Sequence, residues 1–123
     1  MSALTTARDL KTHFLGLANP TRLAILSLLA HREMPVSEIA DRLRLSQPLL
    51  SWHLRIMRKA GLIVTRRVGR EVQCRLDREA ILGYQKRFNQ FIGPPQKGTD
   101  GRQDDQTREL RGTLVNEEIA NAI

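Results

Sequence analysis

Cysteine and aromatic residues are scarce in this chain of 123 residues, which holds one Cys, one Trp, one Tyr and three Phe. A single cysteine excludes an intramolecular disulfide and any metal site built on a cysteine cluster. No apolar run approaches the roughly 18–20 residues that span a bilayer, and the amino terminus lacks the apolar core of a signal peptide. A cytoplasmic, reduced setting away from any membrane is the expectation. The residues that enzymes need are also missing as patterns: there is no paired nucleophile and base, no glycine loop to cradle a phosphate and no metal cluster. No enzyme, cofactor or metal is expected. The last scarcity is local. Between Arg42 and Arg70 stand seven Arg and one Lys (Arg42, Arg44, Arg55, Arg58, Lys59, Arg66, Arg67, Arg70) and no Asp or Glu. A field of one sign on a small folded unit opposes compaction unless a polyanion neutralises it.

What is present divides the chain in two. The formal charge is +7, and residues 1–93 hold sixteen of the twenty Lys and Arg against seven of the thirteen acids, whereas 94–123 hold four against six. The basic surface therefore belongs to one folded domain, 1–93. The stretch 96–106 is polar and reads as a disordered linker. Residues 107–123 form at most a weak helix, with Leu110, Leu114 and Ile119 interrupted by Gly112.

Within 1–93 the punctuation is clear. Thr6-x-x-Asp9 can cap a helix carrying Leu10, Phe14 and Leu17 at helical spacing. Asn19-Pro20 starts a second helix, with Asn as N-cap and Pro at the first helical position. Its band of Leu23, Ile25, Leu26, Leu28 and Leu29 is too wide for a surface helix and marks the centre of the core. Pro35 opens a short third helix over about 36–43, with Ile39 and Leu43 inward, and Arg44-Leu45-Ser46 is a turn with an apolar plug. A fourth helix runs over 47–60 with Ser46 as N-cap, Leu50, Leu54 and Met57 on its core face, and Gly61 beyond its end. Alternating runs over 62–68 and 71–76 bracket Gly69-Arg70, a type II′ hairpin loop. A last helix over 78–92 carries Ile81, Tyr84, Phe88 and Phe91/Ile92 on one stripe. The fold class is mainly α with a small β-hairpin wing: a winged helix-turn-helix with flanking helices. The first and last helices have apolar stripes (Leu10, Phe14, Leu17; Ile81, Tyr84, Phe88, Phe91) and little core left to cover, so a second copy of the chain is expected to meet them as a homodimer.

Leu17-Ala18-Asn19-Pro20-Thr21-Arg22-Leu23-Ala24-Ile25-Leu26, then Ser37-Glu38-Ile39-Ala40, Ser46-Gln47-Pro48, Ser51-x-His53-Leu54, Ala60-Gly61-Leu62 and Arg66-Arg67-x-Gly69-Arg70, resemble the ArsR/SmtB family of bacterial winged-helix repressors over roughly residues 8–92. The resemblance implies a homodimer joined through its first and last helices, a fourth helix in the major groove, a wing on the DNA backbone, and release by an effector. Two departures concern that effector. Pro35-Val36-Ser37 stands where metal-sensing members carry Cys-Val-Cys, and the last helix has no histidine where others place Asp and His ligands. Two more lie in the recognition helix, where Leu49 replaces a small hydroxyl-bearing residue and Trp52 a polar one.

Each candidate has a functional and a structural reading. Ser46 caps the helix and can also meet a phosphate. Gln47 and Ser51 share the exposed face, where Gln can pair with adenine and Ser with a base edge or phosphate. Leu49 is open to a thymine methyl contact or to packing within the motif, and Trp52 to core packing or to flanking the backbone. His53 is open to a structural role or to DNA contact. Arg55 extends the polar face, and Arg66, Arg67 and Arg70 flank the wing turn as phosphate or minor-groove ligands. Cys74 alternates inward with Val72 and Leu76 as a small buried hydrophobe, while His13 and His31 read as surface residues. The expected function is a DNA-binding repressor on an inverted-repeat operator, released by a non-metal small-molecule effector. The alternatives are a metal- or redox-responsive repressor using Cys74 across the dimer, and a winged-helix module that binds protein.

Overall fold

The computed structural model describes residues 3–95, with side chains from residue 5 onward. The expectations for 96–123 lie outside the described residues. Eight elements follow in order: α1 (Ala3–Leu17), α2 (Pro20–Leu29), β1 (Met34–Pro35), α3 (Val36–Leu43), α4 (Gln47–Lys59), β2 (Ile63–Val68), β3 (Glu71–Leu76) and α5 (Arg78–Ile92). This is a winged helix-turn-helix, with α3 and α4 as the motif and β2–β3 as the wing.

Local chemistry sets most boundaries. The Asn19 side chain accepts from the Arg22 N–H at 3.2 Å, and Pro20 needs no donor there. Ser46 Oγ accepts from Leu49 N–H and opens α4, while Asp77 Oδ1 accepts from Ala80 N–H at 3.1 Å and opens α5. Both motif helices close in the same way. At the end of α4, Leu62 N–H reaches back to Met57 O and Gly61 N–H to Arg58 O, with Gly61 at φ +72°. At the end of α3, Leu45 N–H bonds Ala40 O and Arg44 N–H bonds Asp41 O, with Arg44 at φ +52°. These six-to-one and five-to-two bonds satisfy carbonyls that the helix itself cannot.

Two expectations change here. The first helix begins at Ala3, so Thr6 lies inside it: nothing in Ala3-Leu4-Thr5 breaks a helix, and a Thr-x-x-Asp spacing is no obstacle to one passing through. The sheet has three strands in the order β1-β3-β2, not two. Met34 pairs with Cys74 and Pro35 with Gln73, placing Pro35 on an edge where its missing N–H does no harm. In the hairpin Ile63 pairs with Leu76 and Val68 with Glu71, leaving Gly69-Arg70 as the loop; Gly69 has φ +62° and Arg70 does not, as a II′ turn requires.

The core gathers Ile25, Leu29, Ile39, Leu50, Leu54, Met57, Leu62, Ile63 and Cys74, with Leu17, Leu45 and Ile81 partly buried against it. Leu23, expected inside, is half exposed. Helices α1 and α4 approach so closely that a Cβ added to Gly16 would collide with the Ala60 side chain. His13, expected at the surface, is buried in that junction. Its Nδ1 lies 2.7 Å from Ala60 O at the end of α4, and its ring stacks on Tyr84 of α5 at 4.1 Å. His31 is exposed.

Candidate nucleic-acid interface

Helix α4 is split lengthwise by its own periodicity. Leu50, His53, Leu54 and Met57, at spacings of three and four, are buried, while Gln47, Leu49, Ser51, Trp52, Arg55, Arg58 and Lys59 are exposed. Ser46, Gln47, Ser51 and Arg55 therefore share the solvent side with Leu49, and Trp52 is 50% exposed. His53 is corrected: at 5% exposure it belongs to the inner stripe and not to the DNA-facing set. Its Nδ1 lies 3.3 Å from Nη1 of Arg22. Burial, and after it the Arg22 guanidinium, push its pKa below 6.5. Arg22 was missed as a site residue because its partners are distant in sequence or are backbone atoms.

The wing lies beside this face. Arg58 Nη1 donates to Thr65 Oγ1 at 3.2 Å, linking α4 to β2. A cleft of about 370 Å³ separates them, lined in part by Ser37, Gln47, Ser51, Arg58, Thr65 and Arg70. Arg67 and Arg70 are exposed at the hairpin end. Arg66 is exposed too, but its Nε donates to Glu33 Oε1 at 3.0 Å and its Nη2 to Oε2 at 3.4 Å. Arg42 likewise meets Glu38 at 3.2 Å. The acid-free segment is thus partly neutralised by acids that precede it. Arg44, Arg55, Arg58, Lys59, Arg67 and Arg70 have no carboxylate at ion-pair distance among the described residues.

Away from the wing, α1 packs on α5 as well as on α4. The expected partner-facing set separates here. Leu10 is buried inside the protomer, Leu17 and Ile81 lean on the core, and Tyr84 is stacked on His13. Phe14 and Phe88, each 38% exposed, meet edge to face at 5.2 Å, and Phe91, Leu15, Leu82 and Ile92 are exposed. Cys74 is fully buried, and burial pushes its pKa up to about 11 against the opposing pull of Arg58. Among the described residues no group of three or more His, Cys, Asp or Glu is arranged to hold a metal, and no helix is long and apolar enough to cross a membrane.

Comparison with known proteins agrees with this architecture. A protein described as a transcriptional repressor SmtB homolog, from Synechocystis, is 39% identical over 70 residues, which cover 57% of this chain and 53% of that protein. The structure of HlyU from Vibrio cholerae superposes with a TM-score of 0.54 at 31% identity, covering 68% of this chain and 96% of that one. The homodimeric winged helix-turn-helix DNA-binding domain of a possible ArsR-family regulator from Mycobacterium bovis gives 0.61 at 26% identity, covering 68% and 78%. The chain spans about half the length of the curated relatives it matches. Residues 19–65 match the family model described as bacterial regulatory protein, arsR family, and the chain belongs to that family of transcriptional regulators.

Proposed function

We propose that this chain is a homodimeric, sequence-specific DNA-binding repressor acting in the cytoplasm on an inverted-repeat operator. One observation carries the reading. The exposed face of α4 and the hairpin end carry Arg55, Arg58, Arg67 and Arg70, none paired by a carboxylate among the described residues, and Gln47 and Ser51 line the cleft between helix and hairpin with Arg58 and Arg70. Arginines position the duplex through phosphates, and amide and hydroxyl side chains read base edges. Ser46 adds a capped helix N-terminus to the phosphate set, and Leu49 and Trp52 add apolar surface toward the groove. Arg66 takes part only by leaving Glu33. The domain that does this is 1–93. Two copies join through the Phe14, Phe88 and Phe91 side and meet half-sites about one helical turn apart, the spacing of dimeric helix-turn-helix proteins. Release follows a non-metal effector, because Pro35 and Ser37 supply no thiolates for a soft metal.

Duplexes recovered from a random pool test this, by their affinity as a function of salt. With ~6–10 phosphate contacts per dimer, affinity falls roughly 10³–10⁵-fold from 50 to 200 mM salt. Arg67→Ala and Arg70→Ala weaken all duplexes alike, while Gln47→Ala changes their ranking. Binding indifferent to salt would favour the protein-interaction alternative. A relative named as a transcriptional activator, HlyU of Vibrio cholerae, is 45% identical over 57 residues, and a reporter assay in which this chain lowers transcription from its operator checks the repressor reading.

A further inference from the structure

We infer that Arg22 is a positioning residue that locks the DNA-facing helix to the end of α1, and that the lock holds only while His53 is neutral, so that acid releases DNA. The inference rests on the DNA-binding reading above.

The geometry is a guanidinium, 7% exposed, whose nitrogens reach two helices besides its own. Its Nε donates to Gly16 O at 2.8 Å and its Nη2 to Leu15 O at 3.0 Å. Both carbonyls belong to the last turn of α1, where the helix dipole is negative, and Leu15 O also accepts from Ala18 N–H at 3.2 Å. No carboxylate pairs with Arg22 among the described residues. Its Nη1 points at Nδ1 of His53, in the middle of α4. A guanidinium has donors only, so Nδ1 must accept, which requires the neutral imidazole with its proton on Nε2. Protonation puts N–H on both ring nitrogens. Donor then faces donor, and two cations share a buried space.

Among the described residues, Arg22 is the one charged group that shifts His53. Burial, the larger cause, and then Arg22, from α2, lower its pKa below 6.5. On α4 itself the Trp52 ring stands 4.9 Å away, at 66° to the imidazole. From α1 come the carbonyls that Arg22 already holds. The second tie between α1 and α4, from His13 Nδ1 to Ala60 O, needs a donor on His13, which either protonation state can supply. Acid therefore breaks the tie in the middle of α4 and spares the one at its end. The sign is diagnostic, because a histidine that becomes charged on a basic DNA-facing surface ordinarily strengthens binding.

Trp52 is the only tryptophan in the chain, so its emission reports on His53, since an imidazolium quenches a neighbouring indole. The experiment uses a duplex recovered from a random pool at about pH 7.5 and follows its affinity down to about pH 5 at constant ionic strength, alongside Trp52 emission of the free protein. Wild type is expected to lose emission with a midpoint below 6.5, and to lose affinity with the same midpoint. One unit below that midpoint the neutral fraction is about one tenth per subunit, so a dimer needing both loses about a hundredfold. In His53→Gln, which stays neutral, the emission step disappears and affinity is flat or rises in acid. Wild-type affinity that holds through the emission step, a missing step, or an equally steep loss in His53→Gln overturns the inference. If the variant does not fold, the coincidence or separation of the two wild-type midpoints decides. Failure to recover any duplex at pH 7.5 would instead sink the DNA reading itself.

Discussion

Arg44 holds a left-handed backbone conformation, φ +52°, in the same closing motif that Gly61 completes at the end of the next helix. A side chain there costs of order 1 kcal/mol relative to glycine. Its position in the turn of the motif, with no carboxylate at ion-pair distance among the described residues, gives the arginine a reason to be there: it adds to the cationic face. Arg44→Gly is expected to raise stability by about 0.5–1 kcal/mol, or roughly 2–8 °C in Tm for a domain of this size. The same change should weaken DNA binding and reduce the salt slope by up to about one contact per subunit. Calorimetry and a salt titration on one preparation check both. At this scale the sequence was least legible. Ser46 and Asn19 are caps because caps are local. His53 and His13 are buried because Arg22 and Ala60, 31 and 47 residues away in the chain, supply their hydrogen bonds. His53 does occupy the inner spacing set by Leu50, Leu54 and Met57, and that periodicity was the available signal.

Elements were legible wherever periodicity runs long. Helix α5 spans Arg78–Ile92 and β3 spans Glu71–Leu76, as the pattern predicts. Strand β1, two residues long, has no period to read and exists only through its pairing with β3. The α1–α5 pair carries the next prediction. Its inner residues, Leu10 and Tyr84, are used within the chain, so any partner contact is expected on the outer ridge of Phe14, Phe88 and Phe91. Phe88→Glu should leave the helical content intact while converting a dimer to a monomer that no longer binds a two-half-site duplex. Sedimentation of both proteins at micromolar concentration tests it, and a monomeric wild type would count against the arrangement.

For the molecule as a whole, charge read along the sequence overstated the local field. The cationic segment 42–70 is contiguous in sequence, yet Glu33 and Glu38 fold against it and claim Arg66 and Arg42. Those acids precede the segment, and only the β1–β3 pairing and the short third helix bring them alongside. Cys74, in turn, sits in the central strand opposite both Met34 and Thr65, with no exposed surface and a pKa near 11. The thiolate is the form that attacks thiol reagents, so the folded domain shields this sulfur both sterically and chemically. With only one sulfhydryl per chain, the labelling rate becomes a clock for the opening of the three-stranded sheet. Labelling in native buffer should run at least about 10³-fold slower than in denaturant, the ratio giving the free energy of opening. Duplex DNA that clamps the hairpin should slow it further, and a rate unchanged by saturating DNA would mean that the wing opens as freely on the operator as off it.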